Sequence, residues 1–289
     1  MERYVVDNLL EYIDIYNGDG DLECYRLKKK EMYNELVEYL TNGMKDDETS
    51  LGDYYRFFLA NVYLYVKELK NLELGFKLAK EVADRDNTIA QVLVGNLYED
   101  GKGVKKNMDE AYKYYKLAAD KGSSDAIDKM KLKYMYSCEE ADQKEYNYWL
   151  QKSAEAGDLN DLNTIILGYR FNNEYDKVYK LCLELINKCA RTQKYYNYSI
   201  AFKSALRILG ELYIKGLGVE KNVSKGLNIL ENLANSNDIT AISMLGFMYI
   251  DGDGLDKDFD KGVKYLKIAA KEYDYTAQNK LEELGIKYE

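Results

Sequence analysis

The stretch YIDGDGLDKDFDKG, residues 249–262, holds several carboxylates and glycines between two apolar segments, as a cation or phosphate site would. A calcium loop needs oxygen ligands at alternating positions, a glycine at the sixth position and a glutamate at the twelfth. Counted from Asp253, the third position is Leu255, and counted from Asp256, the sixth position is Lys261. The stretch also lacks the G-x4-G-K-S/T signature of a phosphate loop. We therefore interpret it as a turn between two helices, and we expect neither a metal nor a cofactor.

The chain contains no histidine. It therefore cannot build a Ser-His-Asp or Cys-His nucleophile system, or a zinc site with histidine ligands. Adjacent acidic pairs such as Glu139 and Glu140 point in different directions on a helix, so they indicate solvated surfaces. We expect the protein not to be an enzyme. The alternative is an enzyme or small-ligand-binding protein that uses carboxylates or Tyr side chains in a groove.

The formal net charge of -9 bears on the kind of partner. It argues against nucleic acid, because affinity for phosphates comes largely from Lys and Arg, and against an anionic membrane surface. No apolar run approaches the length of a membrane span, so we expect no direct membrane insertion. A basic protein or peptide is the natural partner of an acidic chain.

The four cysteines, Cys24, Cys138, Cys182 and Cys189, form no C-x-x-C pair. Two helical turns separate the last two by about 10 Å, which is too far for a disulfide. We interpret all four as reduced thiols, which is typical of a cytoplasmic protein.

Three stretches of the chain repeat one pattern, at residues 90–122, 205–237 and 241–273. The alanine that opens each stretch recurs after 36 residues, at Ala126, Ala241 and Ala277. A fixed period of this length is typical of a solenoid built from helix pairs. The sequence thus predicts an all-α fold, an α/α superhelical solenoid of antiparallel helix pairs.

Each repeat positions its special residues in the same way. A first helix carries Gly210 in its middle, where only close approach of another helix would favour glycine over alanine. Gly216 and Gly218 then end the helix and turn the chain. An amide or acidic residue is placed to cap the second helix, at Asn107, Asn222 and Asp258 in the three repeats.

The combined pattern, A-x3-LG-x2-Y-x2-G-x-GV followed by a capping residue and an alanine pair, resembles the Sel1-like repeat family, which is related to the tetratricopeptide repeat. The resemblance implies a non-enzymatic scaffold that binds a protein or peptide in the concave groove of the solenoid. Such a protein would act as an adaptor, a regulator or an inhibitor of the immunity type.

We expect a repeat array over residues 51–276, preceded by an N-terminal helical hairpin or cap and followed by a C-terminal capping helix. The cap covers residues 1–46, and the final helix covers 277–289. The strongest repeats are 90–125, 205–240 and 241–276, and the divergent ones are 51–87, 126–158 and 160–200.

In the family that the pattern resembles, the first helices line the concave face. The third, seventh and tenth positions of each first helix differ between repeats, as a partner-binding surface would. These positions are Val92, Asn96 and Glu99; Arg207, Glu211 and Ile214; and Ser243, Phe247 and Ile250. Among them, Phe247 and Ile250 are expected to form an exposed apolar patch.

Overall fold

The structure is a computed structural model that describes residues 22–44, 50–191 and 200–288. Within these ranges it has fourteen α-helices, one short 3-10 helix and no strand, which confirms the all-α solenoid class. None of the described helices is both long enough and apolar enough to cross a membrane. The chain divides into two units, of which the first ends at Tyr136 and the second begins at Ser137.

Among its described residues the first unit contains six helices, and within the unit each helix contacts the next along the chain. They are α1 Leu22–Gly43, α2 Ser50–Tyr65, α3 Leu72–Asp84, α4 Thr88–Asp100, α5 Met108–Asp120 and α6 Ser124–Tyr134, with the 3-10 helix at Lys67–Leu69. Its core is formed by buried side chains of α1 to α5, such as Leu40, Leu59, Val82 and Leu97.

In its described part the second unit contains eight helices, and α8 contacts α10 as well as its neighbours along the chain. They are α7 Glu140–Ala156, α8 Leu159–Phe171, α9 Tyr175–Arg191, α10 Ile200–Lys215, α11 Val223–Asn235, α12 Ile239–Asp251, α13 Phe259–Lys271 and α14 Tyr275–Glu283. Short connections make successive helices pack as hairpins, so alternate helices lie on the same side of the unit.

The turn at residues 249–262 joins α12 to α13, as the sequence predicts. Gly252 ends α12 with a φ of 74°, and Gly254 follows with a φ of 84°. The Asp258 carboxylate then accepts a hydrogen bond of 2.9 Å from the backbone N–H of Lys261 at the start of α13. Conformation therefore explains the glycines and the aspartate of this stretch.

The mid-helix glycines mark close contacts between the two helices of a repeat. A Cβ atom on Gly210 would lie 2.8 Å from Cδ2 of Leu230, and one on Gly246 would lie 2.5 Å from Cδ2 of Leu266. Both distances are shorter than normal carbon contacts. The close approach that the sequence predicts is therefore confirmed.

Cys182 and Cys189 are buried on α9, whereas Cys138 is exposed; the side chain of Cys24 lies outside the described part. Burial raises the pKa of the Cys182 thiol to about 12, against a smaller opposing effect of Arg170. This thiol is therefore protonated at neutral pH.

The domain boundaries stay predictions. Of the expected N-terminal hairpin, residues 1–21 and 45–46 lie outside the described residues, and the remainder is mainly the single helix α1. The boundary between the two units lies inside the predicted repeat at 126–158.

Candidate functional site

The candidate site is a groove on the second unit, where the first helices α8, α10 and α12 lie side by side. We call it the first-helix groove. It encloses a cavity of about 230 Å³. Its lining residues are Leu167, Arg170, Ser204, Arg207, Ile208, Glu211, Thr240 and Met244. Of the nine predicted partner-binding residues, Arg207 and Glu211 line it.

Arg207 is held in place by Asp238, the residue that caps α12. One guanidinium nitrogen, Nη1, donates to both carboxylate oxygens of Asp238, at 2.9 Å each. The same carboxylate accepts a hydrogen bond of 2.9 Å from the backbone N–H of Ala241. Asp238 is buried, so this charge-assisted contact fixes α10 against the start of α12.

Glu211 is buried within a chain of charges that crosses the groove. Its carboxylate accepts hydrogen bonds from Arg170 Nη2 at 2.6 Å and from Lys215 Nζ at 3.0 Å. Lys215 also forms an ion pair of 2.5 Å with Asp253, in the turn after α12. Burial alone would lower the pKa of Lys215, but its bonds to Asp253 and Glu211 outweigh burial and raise that pKa. The chain therefore links α8, α10 and the α12–α13 turn.

The exposure predicted for Ile250 is wrong, because its side chain is buried, and Ile214 and Ser243 are buried as well. Ile214 lies against the backbone at Gly226 and Gly254, and Ile250 lies against Gly262. The tenth position of the first helix thus faces its own second helix, and Ile214 faces the next turn as well. These side chains belong to the core.

Phe247 is half-buried and packs against the apolar cluster of α12, α13 and α14. The exposed apolar patch expected from Phe247 and Ile250 is therefore not present as predicted. Whether Phe247 contacts a partner stays a prediction.

The three predicted residues of the first unit, Val92, Asn96 and Glu99, are half-buried. The Tyr115 hydroxyl shares its hydrogen between Asn96 Oδ1, 2.8 Å away, and the Glu99 carboxylate, and Lys129 Nζ lies 2.6 Å from that carboxylate. Burial and the bond to Glu99 raise the pKa of Tyr115. Burial would raise the pKa of Glu99, but its bonds from Lys129 and Tyr115 lower it overall. Asn96 and Glu99 thus join α4 to α5, and Glu99 also reaches α6.

Sequence reasoning missed Leu167, Arg170 and Phe171 on α8, of which the first two line the groove. Leu167 is 43% exposed and Phe171 is 88% exposed. Leu167 and Gly168 match the LG pair of the repeat pattern, so the pattern predicts that Leu167 lies in the core. The spacing of the buried Leu162 and Ile166 gives the true core face of α8.

Two further clefts lie between α7 and the helices that follow it, with volumes of about 260 and 390 Å³. In the smaller one, Glu155 and Glu184 lie beside Lys177, Lys180 and Lys188. The residues that line the larger one include no carboxylate. Within the described residues, neither cleft offers the converging buried carboxylates that would favour the enzyme alternative.

The Sel1 repeat family model matches four stretches of the chain, at residues 88–123, 147–158, 203–238 and 239–274. Comparison with curated proteins finds no match. Proteins with Sel1 repeats are typically non-enzymatic scaffolds for protein interactions.

Solved structures are also similar. A Sel1 repeat protein from Oxalobacter formigenes is 26% identical, over 84% of this chain and 98% of that one, with a TM-score of 0.41. A protective antigen of uropathogenic Escherichia coli with an SLR fold is 18% identical, over 91% of this chain and 59% of that one, with a TM-score of 0.49. The recognition made from the residue pattern is confirmed by the family model: the chain carries Sel1 repeats at these four stretches.

Proposed function

We propose that the protein is a scaffold that binds a protein or peptide partner in the first-helix groove of its second unit. The observation that carries this proposal is a pair of exposed apolar side chains on α8, namely Leu167, which lines the groove, and Phe171. They lie one helical turn apart, so they share a face of α8. Exposed apolar side chains grouped on one face are typical of interaction sites.

The charges of the groove support binding by a preformed surface. Arg207 and Glu211 are held by Asp238 and Arg170 before any partner arrives. A partner would therefore meet side chains whose conformational entropy is already reduced, which favours affinity. The apolar pair would supply the buried contact, and the paired charges would form the polar rim.

The acidic net charge agrees with a basic partner. The match to the Sel1 repeat model agrees with a role as adaptor, regulator or inhibitor of the immunity type. The cytoplasmic location expected from the cysteine spacing stays a prediction.

The test places the photoreactive amino acid p-benzoylphenylalanine at position 171 of the full chain, in cells of the source organism. We expect illumination to give a discrete cross-linked product, and Leu167→Asp to reduce its yield at least fivefold, because it introduces a charge into the apolar contact.

Position 273 is the matched control, because Tyr273 is also 88% exposed and belongs to the α13–α14 connection. Ile268→Asp is the control for Leu167→Asp, because Ile268 is 42% exposed on a second helix. The same product from positions 171 and 273, or equal losses in the two Asp variants, would contradict the proposal.

A further inference from the structure

A separate cavity of about 300 Å³ lies at one edge of the first unit, between the α2–α3 connection and the α4–α5 turn. We call it the lysine pocket. It is lined by Leu64, Tyr65, Lys67, Lys70, Leu72 and Lys102. Half of the lining side chains are lysines, in a chain whose net charge is -9.

Backbone contacts hold two of the lysines in position. The 3-10 helix at Lys67–Leu69 is followed by Asn71, whose N–H donates to the Tyr63 carbonyl at 2.9 Å. This bond closes the α2–α3 connection into a compact turn, with Lys67 and Lys70 on its exposed surface.

Gly103 brings the third lysine to the pocket. A Cβ atom at this position would lie 2.0 Å from the Leu72 carbonyl oxygen, so only glycine lets the α4–α5 turn lie against the start of α3. Lys102 precedes this glycine. The positions that match Lys102 in the two later repeats are Leu217 and Asp253, so the lysine is particular to the first unit.

The pocket carries an excess of positive charge. In the part of the chain that the structure describes, neither Lys67 nor Lys70 has a carboxylate within ion-pair distance, whereas Lys102 Nζ lies 2.6 Å from Asp100. The neighbouring Glu68 and Glu73 are exposed and do not line the pocket. Ammonium groups gathered in this way raise the local concentration of anions.

The walls between the lysines are apolar. Leu64 is buried, Leu72 is half-buried, and the Tyr65 ring is 62% exposed at the same cavity. A ligand that satisfies both features carries an apolar side chain for the wall and several negative charges for the lysines. An acidic peptide has both, whereas a long nucleic acid would be repelled by the acidic remainder of the chain.

We propose that the lysine pocket binds an acidic peptide segment of a partner protein, with an apolar side chain against Leu64, Tyr65 and Leu72 and carboxylates beside Lys67, Lys70 and Lys102. This site is independent of the first-helix groove. It selects the opposite charge from the basic partner that the net charge of the chain suggests.

The test titrates the full chain into a fluorescein-labelled octapeptide, GSFEEDEE, and follows fluorescence anisotropy. We expect the double variant Lys67→Glu with Lys70→Glu to weaken binding by about tenfold or more, as two reversed, partly exposed charge contacts would. The matched control is Lys77→Glu with Lys105→Glu, which makes the same charge change at exposed positions of the first unit outside the pocket. It should weaken binding by no more than about threefold. Circular dichroism of both double variants should match that of the parent chain.

Two companion peptides test the parts of the ligand. GSFQQNQQ, without charge, and GSGEEDEE, without the aromatic side chain, should each bind more weakly than GSFEEDEE. Equal binding of either companion, or equal loss in the two double variants, would overturn the proposal. A third outcome would also overturn the proposal: inorganic phosphate displaces GSFEEDEE, whereas chloride at the same ionic strength does not. The site would then be one for small anions.

Discussion

Gly210 lies in the middle of α10, directly against Leu230 of α11. Alanine is the better helix former by about 1 kcal/mol, but a methyl group here must displace a packed leucine, at a cost of about 1–3 kcal/mol. Packing therefore outweighs helix propensity at this position. The same balance applies at Gly246, against Leu266.

We predict that Gly210→Ala lowers the free energy of unfolding by about 1 kcal/mol, measured by urea denaturation followed by circular dichroism. Gly168→Ala is the control, because Gly168 is also helical and a Cβ atom there would meet no atom within 4 Å. The control should raise stability by about 0.5–1 kcal/mol. If both variants were stabilised alike, close packing would not explain the repeated glycine.

The same pair of glycines shows what the sequence could predict. The positions of Gly210, Gly216 and Asn222 follow from local rules for close packing, turns and caps, so the repeat phase was enough to assign them. The Leu167–Gly168 pair has the residue types of the repeat pattern, but its structural environment differs. Only the surrounding helices reveal that nothing packs on Gly168.

At the scale of helices, Glu99 joins three elements of the first unit. The carboxylate belongs to α4 and accepts hydrogen bonds from Tyr115 of α5 and Lys129 of α6. These bonds outweigh burial, so folding lowers the pKa of Glu99. The resulting stabilisation is fully present above the unfolded pKa of about 4.3, and it is lost as the pH falls through the lower folded value.

We therefore predict that Glu99→Gln lowers the free energy of unfolding at pH 7 by about 1 kcal/mol. The gap between the variant and the parent chain should narrow as the pH falls below about 4.3. Urea denaturation at a series of pH values measures this gap. Glu145→Gln, at an exposed position of α7, removes the same charge as a control. A gap for Glu99→Gln that stays constant down to pH 3 would contradict the role given to the ionised carboxylate.

The candidate site was harder to predict than the helices, for a physical reason. A helical period tells which residues share a face, but not which neighbour covers that face. Ile214 is buried because a turn of the next repeat lies on it, and Phe171 is exposed although it is aromatic. Arg207 and Glu211 line the groove at the third and seventh repeat positions, but Ser243, at the third position of the next repeat, is buried, so the repeat position alone does not decide.

At the scale of the whole molecule, each of the two units has apolar clusters of its own. In repeat architectures, stability is mostly a sum of repeats and nearest-neighbour contacts. We predict that Gly210→Ala increases amide hydrogen exchange in α10 and α11 and leaves exchange in α3 to α5 unchanged. Mass spectrometry of peptides from both units measures this. Faster exchange in α3 to α5 would show that the chain unfolds as one cooperative body.

The contacts of the turn glycines limit how the number of repeats can change during evolution. Gly103 lies against the start of α3, Gly218 against the start of α9, and Gly254 against Ile214, so each turn touches the preceding hairpin. A duplication or deletion of one complete 36-residue period keeps each turn next to a preceding hairpin. An insertion of another length within a helix would shift that contact. Recombination is therefore expected to add or remove complete repeats, and insertions of other lengths are expected in the connections between helices.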